Sequence, residues 1–92
     1  MNDGPAVIHS NGSKEWWLKG KLHREDGPAA IYSSGSKYWC INGKLHREDG
    51  PAIIYKDGRK QWYVSGIQHT YEEWFNLLTP EQQINYFWNL EI

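Results

Sequence analysis

The sequence predicts a mainly β protein with an α cap: a three-hairpin antiparallel β-meander repeat sheet followed by two short C-terminal helices. Three observations carry this expectation. A 23-residue unit recurs three times, each unit holds two β-type runs joined by x-Gly turns, and after Gly66 the apolar spacing switches to that of a helix. The 92 residues are read as one small domain, 1–92, with copies at 3–25, 26–48 and 49–69 and a helical cap at 70–92.

The copies read DGPAVIHSNGSKEWWLKGKLHRE, DGPAAIYSSGSKYWCINGKLHRE and DGPAIIYKDGRKQWYVSGIQHTY. In each, a short run (AVI, AAI, AII) leads to a turn at Gly12, Gly35 or Gly58, and a second run such as KYWCI leads to another glycine turn such as Asn42-Gly43. Two such runs around an x-Gly turn make a hairpin. Pro5, Pro28 and Pro51 cannot donate to a ladder, which places them at strand entrances between hairpins. Three hairpins give roughly six strands, with equivalent residues of successive copies about 10 Å apart.

Alternation along each strand separates two faces. Ala6, Ile8, Trp16, Leu18, Ala29, Ile31, Trp39, Ile41, Ala52, Ile54, Trp62 and Val64 share one apolar face, which is assigned to the core. The other face varies between copies yet stays aromatic. It carries Val7, His9, Glu15 and Trp17, then Ala30, Tyr32, Tyr38 and Cys40, then Ile53, Tyr55, Gln61 and Tyr63.

Beyond Gly66, Thr70 with Glu73 forms a capping-box signature, and Trp74, Leu77 and Leu78 recur at helical spacing. Thr79-Pro80-Glu81-Gln82 is a second helix start, followed by an Ile84, Phe87, Trp88 stripe at i, i+3, i+4. An open repeat array leaves an unpaired edge and half a core at its end, and the helices are expected to cover it.

A net charge of −1 and a pI near 6.4 produce no global field toward nucleic acid or an anionic membrane. One cysteine, Cys40, allows no internal disulfide and no cysteine metal cluster, which fits a reducing, cytoplasmic setting. The N-terminal stretch has no signal pattern, and no apolar run reaches the roughly 18 residues of a membrane span, so no membrane partner is expected.

The unit W-x-x-G-K-L-H-R-E-D-G-P-A-x-I-Y-x-x-G resembles the MORN repeat, a β-hairpin unit of the same period. Its HREDGPA variant is similar to repeat proteins of bacteriophages and large DNA viruses, whose repeats finish in a tail resembling EEWFNLLTPEQQ. The resemblance covers the whole chain and implies a binding or scaffolding surface. The three prolines and the acidic loop depart from the common pattern, so membrane-lipid roles do not transfer.

KLHREDGPA, present at Lys21 to Ala29 and Lys44 to Ala52, packs His, Arg, Glu and Asp into one loop and invites an acid–base or metal reading. Two facts oppose it. The loop is repeated, whereas an active site is a single convergent constellation, and the third copy reads His69-Thr70-Tyr71. Neither catalytic residues nor a metal or cofactor site are assigned. The architectural reading is a ladder of ion pairs and turn-satisfying aspartates; the functional one has His23, Arg24, His46 and Arg47 meeting an anion or an acidic partner. The residues expected to choose a partner protein are those that vary between copies: Trp17, Tyr32, Tyr38, Tyr55 and Tyr63.

These features point to a non-enzymatic protein-binding module. The viral resemblance extends this to a phage-encoded inhibitor in the host cytoplasm, directed at a bacterial host protein such as a CRISPR or other defence component, in the manner of an anti-CRISPR. Two other readings are an oligomeric sponge for a nucleotide second messenger and a structural self-associating module, including a homodimer.

Overall fold

The computed structural model describes residues 6–88, so the expectation for Pro5 and the last residues of the cap fall outside it. The chain forms a large antiparallel sheet followed by two helices. The strands are β1 (Ala6–Ile8), β2 (Lys14–Leu18), β3 (Lys21–Leu22), β4 (Ala30–Ile31), β5 (Lys37–Tyr38), β6 (Cys40–Ile41), β7 (Lys44–Leu45), β8 (Ile53–Ile54), β9 (Lys60–Val64) and β10 (Ile67–His69). The sheet runs β1-β2-β4-β5-β8-β9-β10, with β3 beside β2 and β6 paired with β7.

In the second copy the strand that carries Trp39 is split there into β5 and β6. Each copy also contributes a further short segment, β3, β7 or β10, that the hairpin pattern did not predict. The cause is the second glycine turn. Lys19-Gly20, Asn42-Gly43 and Ser65-Gly66 have φ pairs of 52° and 78°, 52° and 81°, and 51° and 83°. Positive φ at both central residues is the type I′ turn, whose twist matches paired strands. The chain folds tightly back, so Leu22 pairs with Trp17 and Lys21 with Leu18. The first turn is looser: His9 N–H donates to Ser13 O, and Gly12 N–H to His9 O. Gly12, at φ 94°, completes a three-residue bulged loop.

Successive copies interlock in rows. Across one face, Ala6 pairs with Trp16, Trp16 N–H donates to Ala29 O, and Trp39 N–H donates to Ala52 O, so alanine and tryptophan alternate. The next row alternates isoleucine and lysine: Ile8, Lys14, Ile31, Lys37, Ile54 and Lys60. This limits the assignment of that face to the core: Ala29 and Ala52 are buried as expected, but the residues at its head are not. Ile8 is 67% and Leu18 39% exposed, and the three tryptophans are half-buried. Buried residues come from both faces: Ala29 and Ala52 from one, Ala30, Cys40 and Ile53 from the other. A single-layer sheet has no thick interior, so large side chains bury the small ones beside them on each side.

Helix α1 (Tyr71–Leu77) begins at the expected capping box, with Glu73 N–H donating to Thr70 Oγ1 and Thr70 N–H to Glu73 Oε1. Helix α2 (Pro80–Trp88) begins with the same reciprocal pair between Thr79 and Gln82. Its expected apolar stripe, however, faces outward: Ile84, Phe87 and Trp88 are exposed. The helix is turned by Tyr86, whose ring centroid lies 5.2 Å from that of Trp74, and by Gln83 donating to Phe75 O. Among the described residues no helix is long and apolar enough to cross a membrane.

Candidate functional site

The HRED loops are built as braces between copies. Arg24 Nε donates to Asp26 Oδ1 at 3.0 Å and Nη1 to Pro28 O at 3.3 Å, while Cζ sits 3.9 Å from the Trp16 ring centroid. Arg47 repeats the arrangement with Asp49 at 2.7 Å, Pro51 O at 3.0 Å and the Trp39 ring at 3.8 Å. The glycine of each loop backs the guanidinium: a Cβ on Gly50 would lie 2.7 Å from Arg47 Cζ, and one on Gly27 3.1 Å from Arg24 Cζ. Each arginine is thus layered between an indole and a glycine, with its planar fork engaged.

The histidines tie one copy to the next. His23 Nδ1 accepts from Asn42 N–H at 3.0 Å, and His46 Nδ1 accepts from Ser65 N–H at 2.9 Å. An accepting Nδ1 places the proton of the neutral ring on Nε2, which faces Glu25 in one loop and Glu48 in the other. His23 is 4% exposed and belongs to the seam rather than to a surface.

The third copy lacks this arginine, and the helices replace it. Trp62 is covered by Trp74 and Tyr71, with ring centroids 4.5 and 5.1 Å away. Trp74 Nε1–H donates to Arg47 O, and Gln82 Nε2–H to Glu48 Oε1. The cap therefore lies on the tryptophan face, over the second and third copies.

Between the two HRED loops and α2 lies a cleft of about 670 Å³. Trp39 and Ile41 line it together with residues 24–27, residues 46–49, Gln82, Asn85 and Tyr86. Of the four residues expected to meet an anion, Arg24, His46 and Arg47 line it and His23 does not, and Glu25, Asp26, Glu48 and Asp49 line it too. Four carboxylates face two guanidiniums that are already held, which makes the cleft acidic. The α2 contribution carried no sequence motif. Among the described residues no group of three or more His, Cys, Asp or Glu could hold a metal ion.

The opposite face gathers the variable aromatics. Tyr32 and Tyr38 meet edge to face at 5.3 Å, and Arg59 lies over the Tyr55 ring at 5.0 Å. Tyr38 pairs across the sheet with Ala30 and Ile53, both buried. Tyr63 lies on the same side, and Trp17, 40% exposed, donates from its indole to Glu15 Oε1. A hydrogen bond from His9, and after it the one from Trp17, hold the Glu15 carboxyl below the usual range. Arg59 was not anticipated; it sits opposite Tyr55 across the bulged turn, where its backbone accepts from Tyr55 N–H.

Burial pushes the Cys40 thiol above the ordinary thiol range, and burial likewise raises the Tyr32, Tyr38 and Tyr86 phenols. A folded-state pKa above the unfolded value means a stability contribution present below the unfolded value and lost as pH rises through the folded one. Stability should accordingly fall as pH climbs past about 9 to 10, where the unfolded thiol and phenols ionise first. Urea midpoints measured between neutral and alkaline pH check this; a flat profile would contradict it. Cys40, 5% exposed, should also react with a thiol reagent only as the sheet opens.

Compared with protein-family models, curated proteins and solved structures, the chain finds no match.

Proposed function

We propose that this chain is a non-enzymatic protein-binding module whose contact surface is the tyrosine-rich face of the sheet. The observation that carries this is the position of the cap. Both helices pack against the tryptophan face; on the opposite face Trp17 is 40% exposed and Tyr32, Tyr38, Tyr55 and Tyr63 are half-buried, with neither helix anchored there. Tyrosine and tryptophan are the residues on which binding energy concentrates at interfaces, because they offer large rigid area at low entropic cost.

The imidazole lone pairs of His23 and His46 are spent on backbone amides, and the Cys40 thiol is held neutral, which argues against a base or nucleophile at these positions. The acidic lining of the cleft and the engaged arginines likewise argue against holding a nucleotide phosphate there. The resemblance to phage repeat proteins suggests the setting: an inhibitor acting in the host cytoplasm on a bacterial protein, a CRISPR or other defence component being the candidate class.

The test is capture of a single bacterial protein by the tagged chain, repeated with Tyr32→Ala/Tyr55→Ala. Loss of about 2 kcal/mol or more, close to a thirtyfold weaker Kd, is expected. Undiminished binding by the double variant would move the contact off this face. Titration calorimetry with cyclic nucleotides should show no heat; saturable heat would favour the sponge reading instead.

A further inference from the structure

We infer that a second copy of this chain docks end to end, its β1 edge and Lys19-Gly20 turn seating on the β9–β10 end as a fourth repeat would. The two seams inside the molecule define the contact chemically. At each, a lysine pairs with the isoleucine of the next copy, Lys14 with Ile31 and Lys37 with Ile54. At each, the type I′ turn of the later copy donates two N–H groups backward. Asn42 and Gly43 donate to His23 Nδ1 and Leu22 O, and Ser65 and Gly66 to His46 Nδ1 and Leu45 O.

The two ends of the array carry the matching halves of this seam. At the tail, β10 pairs with β9 only from Trp62 to Val64, and no described strand lies beside Lys60 on that edge. His69 Nδ1 faces Glu73 Oε1 at 3.7 Å, too far for a hydrogen bond, where His23 and His46 accept an amide. At the head, His9 N–H bonds across its hairpin to Ser13 O, so the alternate residue Ile8 aims its N–H and C=O away from β2, on the edge where no described strand lies.

Burial at the head agrees. Val7 is 44% exposed, whereas Ala30 and Ile53, its counterparts behind a preceding copy, are 0% and 4% exposed. A Cβ on Gly43 or Gly66 would meet Lys21 or Lys44 of the preceding copy at 3.5 or 3.6 Å, while one on Gly20 would meet nothing within 4 Å. The occupant is thus specified by its own sequence: Ala6-Val7-Ile8 stands where Ala29-Ala30-Ile31 and Ala52-Ile53-Ile54 already dock. Helix α1 packs on β9 and β10 through Trp62 and His69, and among the described hydrogen bonds and ring contacts of the cap none involves Lys60.

Head and tail are different surfaces, so the contact is heterologous and the assembly open-ended rather than a closed dimer. Its short strands place it at the weak end of protein interfaces. Sedimentation velocity from roughly 10 μM to 1 mM, the range suited to such weak contacts, should show a weight-average mass that keeps rising past that of a dimer. Ile8→Lys sets a second ammonium beside Lys60 at the docked seam. The new side chain also faces Lys14 within its own hairpin, a contact that Ile8→Lys/Lys60→Glu leaves in place, so rescue by the double variant reads the seam alone. Ile8→Lys should weaken association by about tenfold, and the double variant should restore it. A strict monomer throughout, a mass that plateaus at a dimer, or Ile8→Lys associating like the wild-type chain would each overturn the inference.

Discussion

Trp74→Ala is expected to remove about 3–5 kcal/mol of stability, the range for deleting a large buried aromatic side chain. Trp74 is the largest fully buried side chain among the described residues, at 0% exposure, and it joins three parts of the molecule. Its ring covers Trp62 of the third copy, its indole N–H donates to Arg47 O of the second, and Tyr86 of α2 packs on it. A domain of this size has only about 5–15 kcal/mol in total, with small domains toward the low end. The loss therefore takes a large fraction, and it falls on the element that stands in for the missing third arginine. The cap should detach before the sheet melts, so that urea unfolding followed by far-UV dichroism becomes broader and helical signal is lost first. Trp74→Phe keeps a ring over Trp62 and loses the hydrogen bond, so it should cost about 1–2 kcal/mol. A midpoint unchanged in Trp74→Ala would show that the cap contributes nothing to the array.

The parts of this structure that were legible in the sequence are those decided locally. Thr70 with Glu73, and Thr79 with Gln82, form reciprocal caps because each pair needs only its own turn of helix. The hairpin at Gly12 likewise depends on three loop residues. The returning strand of each copy was not legible because Lys21–Leu22, Lys44–Leu45 and Ile67–His69 are too short to show alternation, even where the glycine turn before them can be read. Burial was misjudged for a different reason. Alternation says which residues share a face, not how much lies over it, and the isoleucine row shares its face with Lys14, Lys37 and Lys60.

The same distinction separates the two candidate surfaces. The tyrosine face could be listed from alternation alone, yet its openness depends on where α1 and α2 land, a tertiary outcome set by Trp74 reaching Arg47 O and Gln82 reaching Glu48. The Ile84, Phe87, Trp88 stripe failed for this reason: periodicity defined an apolar side of α2, but Tyr86 and Gln83 supplied the contacts that oriented it. In HRED, conversely, the charge pattern looked like chemistry and the long-range partners turned it into bracing. Arg24 and Arg47 meet tryptophans eight residues earlier in the chain, and the histidine partners lie 19 residues later.

That bracing carries the second large expected effect. His23→Leu fills a similar apolar volume but removes the acceptor of Asn42 N–H at a site only 4% exposed. Leaving a part-buried donor without its partner costs about 1–3 kcal/mol, and the loss falls on the seam between the first and second copies. His46→Leu removes the same bond from Ser65 N–H, but His46 is half-buried and that bond is exposed, so water can replace the acceptor and the cost should be smaller. Chemical denaturation of the two variants gives the ranking, and equal losses would count against burial as the deciding factor. A direct check of the bond itself is the ring nitrogen spectrum of His23 at neutral pH. The structure requires an unprotonated Nδ1 and a proton on Nε2, so the opposite tautomer would dissolve the seam bond and, with it, the reading of HRED as architecture.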